Sequence, residues 1–350
     1  MSPSPISPLQ IDEFRAALLT WYRAHARDLP WRRTTDPYRI WISEIMLQQT
    51  RVAAVIDHYA RFTERFPTVQ ALAVASEADV LALWSGLGYY RRARMMHRAA
   101  QTVVADYAGE FPRTAAELLA LPGIGAYTAA AVASIAFGEP VAVVDGNVER
   151  VLTRVAALDS LPDNIPSRVR ALADQLIDPD HPSHFNQALM ELGATICLPR
   201  GPLCLQCPVQ SLCQTRGEHK ATPRKALVAR DAFYAFLSRN TNGEEEILLE
   251  QRPADAPLMA GMWQLPEIDR GPEHSALFCK VKHAITVTNY TVRIFCDAEN
   301  FIHPWFRRWM PLACIETLPL TGLARKVLKR LQADSQRVTP AASVSLRSDS

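Results

Sequence analysis

The sequence predicts a multidomain chain in which an all-α domain, closed by a cysteine-rich loop, precedes a smaller α+β domain. Three observations carry that expectation. From residue 9 to about 194, apolar residues recur at intervals of three and four, and Pro, Gly and Asp-Pro break the runs, as in short helices that each bury one face. Four cysteines then fall within seventeen residues, at 197, 204, 207 and 213. Beyond them the texture changes. Residues 231–237 and 246–250 flank Asn242-Gly243, a hairpin-turn pair, and Val292, Ile294 and Cys296 alternate with other residues. The expected boundaries are a disordered start at 1–8, the helical domain at 9–214 with its cysteine loop at 197–213, and a polar linker at 215–230. The α+β domain follows at 231–333, ending in a helix over about 321–331, and a Ser-rich disordered tail fills 334–350. No internal repeat is visible.

Bulk properties narrow the class. A chain of 350 residues with 48% hydrophobic content can bury the cores of two or three domains. No apolar run approaches the roughly 20 residues of a membrane span, and MSPSPISP lacks the basic end and apolar stretch of a signal peptide, so a cytoplasmic protein with no membrane partner is expected. The net charge of +2 does not announce a nucleic-acid partner, because phosphate binding needs basic residues gathered on one face rather than a large total. Seven cysteines is an odd number, and the clustering of four of them favours metal binding over a disulfide framework.

The cluster reads Cys197, six residues, Cys204, two residues, Cys207, five residues, Cys213, with Pro208 after the third. Four thiolates from one loop suit a tetrahedral metal or a cubane cluster equally well in charge and softness. A single compact run differs from the paired Cys-x-x-Cys knuckles of zinc ribbons and tilts mildly towards iron and sulfur. The six-two-five spacing resembles that of the endonuclease III and MutY group of DNA glycosylases, where it binds a 4Fe-4S cluster.

A second motif lies upstream. Thr114 and Glu117 form a capping box before a short helix that ends at LPGIG, Leu121 to Gly125, and the helix AYTAAAVASIAF follows at once. Gly123 and Gly125 allow positive φ and a close backbone approach, and the amides opening the second helix offer a phosphate site. The same residues would also serve as a tight turn packing two helices. They resemble the helix-hairpin-helix of the same superfamily, which grips the DNA backbone without reading sequence, so Leu121, Gly123 and Gly125 are expected at DNA.

Base removal needs the base made a better leaving group and the sugar's developing positive charge stabilised, and two carboxylates with opposed protonation can do both. In WISEIMLQQT, Glu44, Gln48 and Arg51 fall on one polar stripe of an otherwise apolar helix beside Trp41 and Ile45, so Glu44 is expected to line a pocket and to stay protonated near neutrality. Asp145, in VVDGNVERV, stands after an apolar run and just before a helix, where it can cap the helix and remain ionised. The resemblance implies Glu44 as proton donor to adenine N7, Asp145 as transition-state stabiliser and Asn147 as its neighbour. It places Tyr127 where endonuclease III-like enzymes have a Schiff-base lysine, which implies a monofunctional glycosylase. It sets Arg27, Trp31, Arg32, Leu47, Gln49 and Glu191 around a flipped-out adenine, although core packing or surface charge would explain each singly. Tyr89, in WSGLGYYRRARMMHR, matches a wedge entering the duplex, and Arg91, Arg92 and Arg94 after it are candidate phosphate contacts, as is Arg200 in the cysteine loop.

The resemblance covers nearly the whole chain, because MutY-type proteins append a Nudix-like domain. EQRP and GMWQLPE are its most recognisable pieces here, and the glutamate-rich helix that holds magnesium in Nudix hydrolases is missing after Gly261, so the domain is expected to bind rather than hydrolyse. Family members often carry Phe-Ser-His in a loop touching 8-oxoguanine. With His283 as the anchor, this chain has Ile285, Thr286 and Val287, which implies contact through Thr286 and a weakened preference for 8-oxoguanine over guanine. Cys279, Cys296 and Cys314 are expected to be buried and reduced. The implied function is a monomeric adenine DNA glycosylase of base excision repair, bacterial and nucleoid-associated. It would act on double-stranded DNA with adenine:8-oxoguanine or adenine:guanine mispairs. An endonuclease III-like glycosylase-lyase and a non-catalytic iron-sulfur DNA sensor are the competing readings.

Overall fold

The computed structural model describes residues 8–160, 164–217, 227–270, 277–285, 288–296 and 306–337. The chain forms two compact units, residues 1–75 with 91–223, and residues 76–90 with 224–350. The division does not follow chain order: fifteen residues expected inside the helical domain group with the second unit.

The described part of the first unit is helical. Its elements are α1 (Pro8–His25), α2 (Pro37–Leu47), α3 (Val52–Arg65) and α4 (Val69–Ala73), then, after the inserted α5 (Glu77–Trp84), α6 (Arg91–Asp106), α7 (Ala115–Leu118), α8 (Ala126–Phe137), α9 (Gly146–Val155), α10 (Ile165–Leu176) and α11 (Pro182–Thr195). Local chemistry sets the ends that matter. Asp36 accepts from the Tyr38 amide with Pro37 in the first turn to open α2, and Asp145 accepts from the Asn147 and Val148 amides to open α9. Gly138, at φ 74°, closes α8 in the left-handed region. The buried small residues Ala129 to Ala133 let α2 lie closely against α8, while α11 packs on α1, α8 and α9 around Phe14, Leu18, Val151, Leu152, Phe185 and Leu192. After α11, two 3-10 turns at Cys204–Gln206 and Gln210–Leu212 fold the cysteine loop.

The second unit is α+β. Its strands are β1 (Val228–Phe236), β2 (Ser238–Thr241), β3 (Glu244–Gln251), β4 (Trp263–Gln264), β5 (Glu267–Ile268), β6 (Leu277–Ile285), β7 (Thr288–Cys296) and β8 (Arg307–Pro311), closed by α12 (Gly322–Arg337). One sheet has the order β5-β1-β7-β6 with β1 and β7 parallel; the other joins β2-β3-β4, with β8 also on β3. Asn242-Gly243 is a hairpin turn, both residues having positive φ, but it joins β2 to β3, whereas the expected first arm, 231–237, falls largely in β1 of the other sheet. Tyr234, Ile247, Trp263, Val281 and Ile294 from both sheets meet Leu323 and Val327 of α12. The closing helix runs past the expected 331, and β1 begins inside the expected linker. Of the lone cysteines, Cys279 is buried, but Cys296 is half-buried and Cys314 exposed, since the short 3-10 turn carrying Cys314 lies at the surface.

The segment 76–90 is tied within this unit. Ser85 Oγ and Tyr90 OH donate to the Leu320 carbonyl at 2.7 and 3.1 Å, and Arg325 Nε donates to Ser85 Oγ at 2.8 Å. Among the described residues no helix is long and apolar enough to cross a membrane.

Candidate active site

Glu44, on the last full turn of α2, is 6% exposed, and burial pushes its carboxyl up to about 7 against the lowering effect of a hydrogen bond from Tyr127. That bond runs from Tyr127 OH, in the first turn of α8, to Glu44 Oε2 at 2.6 Å. Burial, then the charge of Glu44, holds the Tyr127 phenol well above its ordinary range, so it stays a donor.

Asp145 is opposite in character. Its Oδ1 accepts the Asn147 and Val148 amides at 2.9 and 2.7 Å, and its Oδ2 accepts Asn147 Nδ2 at 2.8 Å. Three donors at the positive end of α9 hold its carboxyl group in place. Cap and candidate catalyst are therefore one residue. Arg150, one turn along α9, donates to Asn147 Oδ1 at 3.0 Å, Gly193 O at 2.7 Å and Cys197 O at 2.8 Å, so the Asn147 amide is held from behind.

Glu44, Tyr127, Asp145 and Asn147 share a cavity of about 570 Å³ with Arg27, Trp31, Arg32, Leu47, Gln49 and Glu191. All ten residues expected in the pocket line it, and the volume is in the range of small-molecule sites. Glu191 is 1% exposed and almost saturated: Arg27 Nε and Nη2 reach Oε1 and Oε2 at 2.6 and 2.7 Å, and Arg32 Nη2 reaches Oε2 at 2.7 Å. Burial pushes this carboxyl up, but the hydrogen bonds and charges of Arg27 and Arg32 outweigh it and hold the group at about 2. Its place is thus to fix two arginines in the cavity wall. Ser43, Gln48, Gln187 and Met190 also line the cavity; of these only Gln48 had a sequence signal, the polar stripe of α2.

That stripe is shorter than expected. α2 ends at Leu47, Gln49 turns the chain at φ 56°, and Arg51 stands before α3, so Arg51 does not share the face of Glu44. Arg92 does not point to solvent as a phosphate contact would: its guanidinium turns back onto the carbonyls that end α2.

At the hairpin the capping box of Thr114 and Glu117 is present, and α7 and α8 pack together. The two glycines differ. Gly123 has φ 74°, and a Cβ there would stand 2.5 Å from Met95 Cβ. Gly125 has φ −93°, ordinary extended backbone, and a Cβ there would meet nothing within 4 Å, so positive φ is not its reason. It caps α8 without a side chain and leaves the backbone bare at an exposed helix start. Leu121 is buried, which leaves its backbone and not its side chain for any DNA contact. Tyr89 is 49% exposed with φ 48°, at the end of a loop with Gly86 and Gly88 also in the left-handed region. Arg200 is exposed. Thr286 and Val287 lie outside the described residues.

The four loop cysteines line one small cavity of about 30 Å³, beside Val151, Leu192, Ile196 and Val209. Among the described residues no group of three or more His, Cys, Asp or Glu side chains stands close enough to hold a single metal ion. Arg154, a buried residue of α9, donates to Cys197 Sγ at 3.3 Å and to the Leu198 carbonyl at 2.7 Å. Sequence reasoning missed Arg150 and Arg154; their spacing of one and two turns from Asn147 was the available signal.

Residues 42–179 match the HhH-GPD superfamily of base excision DNA repair proteins. A rat adenine DNA glycosylase is 40% identical over 347 residues, covering 80% of this chain and 67% of its own length. The human adenine DNA glycosylase is 50% identical over 218 residues, 59% of this chain and 40% of that protein, and the Mycolicibacterium smegmatis one 43% identical over 65% and 77%. The chain thus spans 67% of the rat relative and less than half of the human one. Among solved structures, a thermostable thymine-DNA glycosylase has a TM-score of 0.54 at 33% identity, over 58% of this chain and 95% of its own. A non-covalent endonuclease III–DNA complex has 0.52 at 26%, over 60% and 96%. A buried carboxyl raised to about 7 beside a capped carboxylate, on a fold shared with DNA glycosylases and a sequence shared with adenine-specific ones, places this chain in the adenine DNA glycosylase family.

Proposed function

We propose that the chain removes adenine from adenine:8-oxoguanine and adenine:guanine mispairs in double-stranded DNA, as a monomer and without strand cleavage. The observation that carries this reading is the pairing, in one cavity, of a buried Glu44 hydrogen-bonded by Tyr127 with an Asp145 held by three donors.

The flipped adenine enters the cavity, and Glu44 gives its proton to N7. The C1′–N9 bond then breaks, its electron pair leaving with the base, and Asp145 stabilises the cationic sugar. Water adds at C1′ and loses a proton, giving an abasic site. Asn147 keeps Asp145 aimed, Arg150 keeps Asn147 aimed, and Glu191 fixes Arg27 and Arg32 at the wall. Tyr127 offers a phenol rather than an amine, which supports hydrolysis over Schiff-base chemistry.

Cys197, Cys204, Cys207 and Cys213 fit a 4Fe-4S cluster. Four sulfur donors line one small apolar cavity, and the buried Arg154 donates to Cys197 Sγ, a soft donor set of the kind that iron and sulfur take. When bound, the cluster would fold the loop that carries Arg200 and support the carbonyl that Arg150 grips. The second unit, an α+β fold of two sheets closed by α12, serves as a Nudix-like reader of the opposite base.

Strand analysis of an adenine:8-oxoguanine duplex, with and without alkali, tests the proposal. Alkali-dependent cleavage at the adenine is expected. Cleavage without alkali, or an intact adenine, overturns it.

A further inference from the structure

Arg92 is the second residue of α6, three residues after Tyr89, in a basic run where the sequence offered it as a phosphate contact. Its guanidinium instead faces inward. Nη1 donates to Ile45 O at 2.7 Å, Met46 O at 3.3 Å and Gln48 O at 2.6 Å, and Nη2 donates to Thr50 Oγ1 at 3.4 Å. These acceptors are the last carbonyls of α2 and the turn that follows it. The last carbonyls of a helix have no partner within it, carry its negative end, and are stabilised by a cation.

The turn they belong to is the cavity wall. Leu47, Gln48, Gln49 and Thr50 line the cavity one turn after Glu44, and Gln49 holds a positive φ that side chains other than glycine adopt at a cost. Gln48 Nε2 also donates to Thr128 Oγ1 at 3.2 Å, next to Tyr127 on α8. The turn is therefore held at two points, one on α8 and the other Arg92.

We propose that Arg92 is a positioning residue of the catalytic cavity rather than a phosphate contact. Its guanidinium keeps the Gln48–Thr50 turn in the conformation that shapes the adenine site beside Glu44. A lysine keeps the charge but cannot serve several carbonyls and a hydroxyl from one planar fork. The proposal rests on the glycosylase reading for its kinetic consequence, but not for its structural one.

The test uses the full chain with Arg92→Met and Arg92→Lys. Amide exchange over residues 48–50 is expected to quicken at least tenfold in both variants, whether or not any excision occurs. With a mispaired duplex, single-turnover adenine release at saturating enzyme is expected to slow by about tenfold to a hundredfold, the cost of small misplacement at a reacting centre. The slope of log Kd against log salt should stay unchanged. A phosphate contact predicts the reverse, a slope smaller by about 0.9 in Arg92→Met and preserved in Arg92→Lys, with release unaffected at saturation. That pattern, or unchanged amide exchange in the folded Arg92→Lys protein, overturns the proposal. Excision missing from the unmodified protein would sink the glycosylase reading alone, because the exchange measurement still decides this one.

Discussion

Tyr127→Phe removes one oxygen and leaves the ring that packs in the first turn of α8. The lost contacts are a weak one to Met190 Sδ at 3.6 Å and the 2.6 Å hydrogen bond to Glu44 Oε2, which lowers a carboxyl that burial has pushed up to about 7. A hydrogen bond to a charged acceptor is worth ~1.5–3 kcal/mol and one to a neutral acceptor ~1 kcal/mol, so its loss disfavours the ionised carboxyl by roughly 1–1.5 kcal/mol. At ~1.36 kcal/mol per pH unit, the Glu44 carboxyl moves up by about one unit. Glu44 acts in its protonated form, so single-turnover adenine release should be flat at low pH and fall as pH rises through about 7 in the parent. In the variant that falling limb moves to higher pH by about one unit, and excision survives. Release rates measured between about pH 5.5 and 9 with enzyme in excess give both limbs. A limb that stays in place, or moves to lower pH, would refute the assignment of Glu44 as the titrating donor.

Glu44→Gln should abolish adenine release while duplex affinity is retained; parallel release and binding assays separate the two. The same variant reports on stability. The folded-state carboxyl stands at about 7 against an ordinary 4.5, so the folded protein holds the proton more tightly. The contribution is full below about pH 4.5 and is lost as pH rises through about 7, a difference of ~3 kcal/mol. Denaturant melts should therefore show Glu44→Gln more stable than the parent at pH 8, with the gap closing towards pH 4.5, and a variant less stable at pH 8 would count against the burial argument. Gly123→Ala and Gly125→Ala form a contrasting pair. The first meets Met95 Cβ at 2.5 Å in a left-handed position and should lower stability by about 1–3 kcal/mol, whereas the second should melt like the parent and bind duplex more weakly. Equal melting of the two would show that the hairpin relaxes around Gly123.

Periodicity and turn chemistry made the helices around Glu44 and Asp145 legible, because the N-caps Thr114 and Asp145 act within one or two turns of chain. The Asn242-Gly243 hairpin was legible for the same reason. Arg51 was misread, because a period of 3.6 extrapolates past a helix end, and the direction of the Arg92 guanidinium was not legible, because a basic run looks alike whether it faces phosphate or a neighbouring helix. The parallel pairing of β1 with β7 and the grouping of residues 76–90 with 224–350 depend on contacts between segments distant in sequence. No local pattern encodes them.

By itself the sequence determined which side chains are available: a six-two-five cysteine loop, a Pro-Gly-x-Gly hairpin, Glu44 within an apolar helix, Asp145 before α9, and a tyrosine in place of a lysine at 127. Their chemistry was decided only by tertiary structure. Glu44 becomes an acid near neutrality because surrounding elements exclude water from it, and Glu191 becomes a fixed anion because Arg27 and Arg32 arrive from far along the chain. A carboxyl's proton affinity is set by burial and neighbouring charge, and both are properties of packed neighbours rather than of adjacent residues.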